Sequence, residues 1–249
     1  MIKLRAEEEK KRFEMLDAWF SSEHGQRAAD VIREEIVNIR SILVGNKLIQ
    51  LGSCGRNPWL SQLQYQNKWI IKPHQDNSRV SHCHSLLTQL PIDKESVDCV
   101  LAPFTIDAFS SKESILDEMD RILKPMGYLV IIGINPYSLW GAWLRFNKSA
   151  YFGKLHGFPR SLIHIKCMLQ NYGYQQCFAH DFYFIPPVQN PTLIQSLSFL
   201  NQVGKMVSLL PSAFYCVVFQ KYVINYIQPL LVANQKELLK TSPLYQPSC

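Results

Sequence analysis

A chain of 249 residues with 47% hydrophobic content is long enough for one large α/β core, and no Pro/Gly/Ser-rich linker divides it. Seven scattered cysteines with no CxxC pair argue against a disulfide framework and a zinc ribbon, so metal ligation is not expected. The net charge of +6 permits an anionic partner, but no Lys/Arg run interleaves with aromatics, so nucleic acid stays an open partner without a basic stripe.

The N-terminus mixes charges with Leu4, Phe13, Leu16, Trp19 and Phe20, and residues 26–44 place Ala29, Ile32, Ile36, Ile39 and Leu43 at helical spacing. Two helices are expected there, forming an extension over 1–44 that could also serve as an oligomer contact. Its opening residues do not read as a secretory signal, and the apolar runs 128–134 and 214–219 are far shorter than a membrane span, so a cytoplasmic protein without membrane contact is expected.

At Lys47 the period changes. Lys47–Leu51 reads as a short strand ending on Gly52, and Pro58 opens a helix through Leu63. Lys68–Ile71 reads as a second strand, followed by a polar, His-rich stretch over 72–89 without an amphipathic helix. Val97–Ala102 suits a buried parallel strand. Ser114–Leu123 follows as a helix ended by Pro125 and Gly127, and Tyr128–Ile134 as the next strand. Beyond Asn135-Pro136 the pattern gives a helix over 161–171, a strand over 176–184, a Pro-bounded helix over 192–209 and a strand over 214–222. A main domain over 45–225 and a poorly ordered tail over 226–249 complete the organisation. Strand–helix–strand units at this spacing demand a parallel sheet with crossover connections.

The segment Leu90-Pro91-Ile92, Ser96-Val97-Asp98 and the apolar strand after it, continued by Arg121-Ile122-Leu123-Lys124-Pro125-Met126-Gly127, resembles the centre of type 11 methyltransferase domains. Asn135-Pro136-Tyr137-Ser138-Leu139-Trp140-Gly141 is similar to a segment of an uncharacterised proteobacterial subgroup of these proteins. The resemblance implies a class I fold: a Rossmann-like, seven-stranded, mostly parallel sheet with an antiparallel C-terminal edge and helices on both faces. It also implies S-adenosyl-L-methionine as cofactor and transfer of its methyl group to an acceptor the sequence does not name.

Residue by residue, the resemblance places the family's glycine-rich turn at Gln50, Gly52, Ser53, Cys54 and Arg56, where only Gly52 keeps the family's glycine register. The ribose-binding acid falls near His74, with Asp76 two residues late, and Leu87 is placed against the adenine. Ala102, Pro103 and Phe104 would line the methionine side at the end of the fourth strand. Asn135, Tyr137 and Trp140 would form the acceptor side, with Asp107 and His156 as further contacts. Plain structural roles stand beside these: a ligand-free turn at Gly52, a core position for Phe104 and a helix start at Pro136. No residue is named catalytic, because methyl transfer from a sulfonium is driven mainly by proximity and alignment. The rival reading is a non-catalytic interaction or regulatory protein that keeps the scaffold with an eroded cofactor turn. His82-Cys83-His84 is not expected to bind metal, because neighbouring strand positions point to opposite faces.

Overall fold

The computed structural model describes residues 2–73, 82–108, 112–146, 160–187, 196–197, 199–200 and 211–222. Two helices open the chain, α1 (Ile2–Ser21) and α2 (Glu23–Ile39). Ser22 separates them and caps α2, its hydroxyl accepting from Gly25 N at 3.2 Å. Ile32, Ile36 and Ile39 recur on one face of α2 and are buried completely.

Seven strands follow: β1 (Lys47–Leu51), β2 (Asn67–Lys72), β3 (His82–His84), β4 (Val97–Pro103), β5 (Leu123–Ile134), β6 (Tyr174–Phe182) and β7 (Phe214–Lys221). They form one sheet in the order β3-β2-β1-β4-β5-β7-β6. The first five are parallel neighbours, whereas β7 runs antiparallel to both β5 and β6. Burial explains why the central strands read as unbroken apolar runs: β4 and β5 carry side chains into both faces of the sheet. Between them lie a one-turn helix α3 (Thr105–Ala108) and α4 (Lys112–Ile122). After β5 come α5 (Leu139–Phe146) and α6 (Leu162–Asn171), the latter capped by Ser161.

Two sequence expectations change. The helix expected from Pro58 to Leu63 is a single 3-10 turn over Pro58–Gln62. Lys68 Nζ donates to the carbonyls of Leu60 and Leu63, both at 2.9 Å, taking the acceptors that a longer helix would need. Helix α2 packs against that turn. Pro125 and Gly127 also do not separate a helix from a strand, because β5 begins at Leu123 directly after α4. The irregularity is absorbed by Met126 at φ 63° and a register slip opposite Val97 and Cys99. The helix expected over 192–209 lies almost wholly outside the described residues, as does the 226–249 tail.

Candidate functional site

The strand order reverses between β1 and β4, and ligands of open α/β sheets collect at the carboxyl ends on either side of such a point. Gly52 turns the chain there with φ 83°, its N–H donating to Ile71 O at 2.8 Å. Gln50, fully buried, holds the turn from beneath. Its Nε2 donates to Gly52 O at 2.9 Å and to Asn57 Oδ1 at 2.6 Å, and its Oε1 accepts from Trp59 Nε1 at 2.9 Å. Asn57, in the left-handed region at φ 47°, completes the network by accepting from Cys54 N and donating to Ser53 Oγ. Every polar group of Gln50 is thereby satisfied within the turn itself.

Helix α1 lies across this turn. A Cβ added at Gly52 would meet the ring of Phe13 at 2.6 Å, so the open face of the glycine is filled by an aromatic side chain. Asp17 Oδ1 accepts from Gly55 N at 2.7 Å, and its other oxygen stands 3.8 Å from Lys72 Nζ. Arg12 Nη1 donates to Ala108 O at 3.0 Å, fastening the same helix to α3. Phe20 packs at 5.6 Å from Phe104 and at 6.3 Å from Trp59, ring centre to ring centre.

At the end of β4, Ala102, Pro103 and Phe104 are buried. Phe104 sits at φ 54°, a left-handed conformation costly for a bulky residue, and its ring lies between Phe20 and Phe214. Thr105 Oγ1 donates to Leu51 O at 2.7 Å, tying the end of β4 to the end of β1. Asp107 is buried and accepts from Ile134 N at 3.0 Å, so its carboxylate joins α3 to β5. Cys54 is fully buried with its Sγ 3.9 Å from Pro103 O. Burial pushes its thiol well above the ordinary range, the Asp17 carboxylate adds to the rise, and Lys72 opposes it. Leu87 is buried, whereas His74 and Asp76 lie outside the described residues.

The position that the resemblance gives the methionine part of S-adenosylmethionine, above Gly52, is filled by Phe13 with α1 in place. Among the described residues Lys72 ends β2 and faces Asp17, and the positions expected for the ribose, His74 and Asp76, lie outside them. The space above Gly52 is therefore closed to the cofactor in this conformation. Exposing two fully buried aromatics, Phe13 and Phe20, costs about 3–6 kcal/mol. A ligand at a hundred times its dissociation constant for the open cleft supplies about 2.7 kcal/mol, slightly less than that cost, so a docked α1 weakens binding.

The acceptor-side segment forms a capped corner. Ser138 Oγ donates to Asn135 O at 2.7 Å and accepts from Gly141 N at 3.1 Å, starting α5 three residues after Pro136. Asn135 Oδ1 accepts from Tyr137 N at 3.0 Å, which leaves the Tyr137 side chain exposed. A Cβ at Gly141 would meet Pro136 O at 2.4 Å, so the close approach of α5 to the corner requires glycine. Trp140 points the other way, buried among Trp19, His24, Tyr183 and Phe214, with its indole N–H on Ile185 O at 2.8 Å. A groove of about 410 Å³ opens beside this corner, lined by Tyr137, Arg145, Arg160, Ser161 and His164 among others.

Among the described residues no group of three or more His, Cys, Asp or Glu is arranged to hold a metal. His156 lies outside the described residues, His24 is buried among aromatics, and His180 Nδ1 stands 2.8 Å from Glu35 Oε2. Sequence reading missed Phe13, Asp17, Asn57, Lys72 and Thr105. Only Lys72 had a signal, a basic residue at the strand end where a carboxylate was sought.

The family model for the methyltransferase domain matches residues 56–131. A comparison with curated proteins finds no sequence match. Among solved structures, an S-adenosylmethionine-dependent methyltransferase from Thermotoga maritima aligns with a TM-score of 0.54 at 18% identity, over 76% of this chain and 89% of its own. A chain from the complex of the Haloferax volcanii Trm112 methyltransferase activator aligns at 0.59 and 14% identity, over 84% and 98%. The [4+2]-cyclase SpnF aligns at 0.53 and 14% identity, over 80% and 82%. The matched domain and the shared fold imply S-adenosylmethionine as the cofactor. No helix among the described residues is long and apolar enough to cross a membrane. Residues 56–131 thus match the methyltransferase domain model, and the chain shares the fold of solved S-adenosylmethionine-dependent methyltransferases.

Proposed function

We propose that the chain transfers a methyl group from S-adenosylmethionine to an acceptor received beside Asn135 and Tyr137, and that α1 holds the cofactor cleft closed. The observation that supports this reading is the sequence match across residues 56–131, which includes the strand forming the far wall of the cleft. Fold alone would not suffice, since one fold hosts unrelated chemistries.

Thermal unfolding titrated with S-adenosylmethionine and S-adenosylhomocysteine tests it, on the native chain and on Phe13→Ala. A ligand at a hundred times its dissociation constant adds about 2.7 kcal/mol, which for a domain of this size raises the midpoint by roughly 5–11 °C. The expected result is a weak response in the native chain and a saturable one in the variant. No response in either at millimolar ligand overturns the reading.

One observation favours a second reading, a non-catalytic scaffold. The intramolecular partners of Lys72 and Gly55 come from Asp17, so the cleft is complete without a ligand. Under that reading Phe13→Ala loses stability and gains no affinity for the cofactor.

A further inference from the structure

The groove at the corner of Asn135–Gly141 has an electrostatic character that methyl transfer alone does not explain. Residues 1–120 contain 18 acidic and 15 basic side chains, whereas residues 121–249 contain two acidic and 11 basic. No Asp or Glu occurs between Asp120 and Asp181, a stretch that holds seven Lys or Arg. The fold brings two of these to one place. Arg145 comes from the last turn of α5, and Arg160 immediately precedes the Ser161 cap of α6.

Arg160 Nη1 lies 2.5 Å from His164 Nε2. A guanidinium can only donate, so in this contact Nε2 of His164 is the acceptor. The exposed Tyr137 side chain borders the same groove, and no carboxylate is among its described lining. The walls are fixed from behind: Tyr215 Oη donates to Arg160 O at 3.2 Å, and Ser138 and Gly141 lock the start of α5.

Two guanidinium forks, an imidazole and a phenol around about 410 Å³ suit a compact, doubly charged, oxygen-rich group rather than an extended polyanion. We infer that this groove binds the phosphate of a phosphomonoester. Resting on the methyl-transfer reading, that phosphate anchors the acceptor at the carboxyl end of β5, beside the cofactor cleft.

The test uses the full chain without cofactor. The ring C–H signals of His164, assigned with His164→Gln, are followed by NMR during titration with phenyl phosphate, and with phenyl sulfonate at equal ionic strength. The expected result is a saturable shift with phenyl phosphate alone. Affinity should fall at least tenfold in Arg145→Gln/Arg160→Gln, whose unfolding midpoint in chloride stays unchanged because both side chains are exposed. Absence of a saturable shift, an equal response to the sulfonate, or unaltered affinity in the double variant overturns the proposal. Binding of a single-stranded RNA oligonucleotide without binding of phenyl phosphate also overturns it. Cosedimentation with phosphatidic acid vesicles, lost in the double variant, identifies a lipid headgroup as the source. Phenyl phosphate binding without cosedimentation identifies a soluble ester. Phosphate binding in a chain whose Phe13→Ala variant ignores S-adenosylmethionine keeps the groove and removes the methyl-transfer reading. The converse result removes the groove alone.

Discussion

Phe13, Asp17 and Phe20 lie within α1, yet their partners lie more than thirty residues away at Gly52, Gly55, Lys72 and Phe104. Periodicity in the sequence identifies the buried face of a helix but not the surface that buries it, so the apolar residues of α1 were legible and their destination was not. Gln50 was more readable, because a buried amide two residues before a glycine turn has few partners besides that turn. Asn57 was not, since its role depends on a left-handed φ. Two substitutions separate these roles. Gly52→Ala meets both a positive φ and the Phe13 ring, and should lower the urea-unfolding free energy by roughly 2 kcal/mol or more. Phe13→Ala should cost about 3–5 kcal/mol while it tightens S-adenosylmethionine binding, two effects of opposite sign that a simple core truncation would not produce together.

At the level of elements, α4 is tied to the loop before β4 through charged groups. Glu118 accepts from Arg121 Nη2 at 2.6 Å and from Leu90 N at 2.7 Å, and Arg121 also donates to the carbonyls of Ile92 and Leu90. The Arg121 hydrogen bond holds the Glu118 carboxyl below its ordinary 4.5, against the opposing effect of burial and with help from the Leu90 N–H. A carboxyl depressed in the folded state contributes its full stability above the unfolded value and loses it as pH falls through the folded one. Stability should therefore decline below about pH 4.5, and Glu118→Gln should flatten that part of a pH series of urea-unfolding curves while lowering stability at neutral pH. The segment that carried the family resemblance thus also carries a structural joint. The one-turn helix after Pro58 escaped the sequence because the lysine that stops it, Lys68, belongs to the next strand.

On the scale of the whole molecule, the central strands and their parallel type were legible because parallel strands covered on both faces leave an apolar signature, whereas the strand order and the short polar edge strand β3 were not. The antiparallel pair β6 and β7 followed from the resemblance rather than from the pattern, since β6 is only partly buried and reads as a mixed strand. The closed cleft was not legible at any level of the sequence, as it arises from the docking of an N-terminal helix on a turn formed by residues 52–57. The uneven charge was countable from the outset, but net charge alone concealed that one half of the chain carries almost none of the acids. The groove that carries Arg145 and Arg160 should bind anionic ligands faster at low ionic strength, with rates that fall as salt rises.

Cys54 turns the docking of α1 into something that can be timed. Its buried, neutral thiol is unreactive while the helix covers the turn, whereas Cys83, Cys167 and Cys177 are exposed. Cys99 and Cys216 are buried within strands and wait for global unfolding. Pulsed alkylation read by peptide mass should resolve three clocks in one molecule: surface thiols at once, Cys54 at the pace of helix undocking, and the sheet cysteines last. Coincidence of the second and third clocks would mean that α1 never leaves a folded domain, so that any cofactor would have to enter before the chain finishes folding.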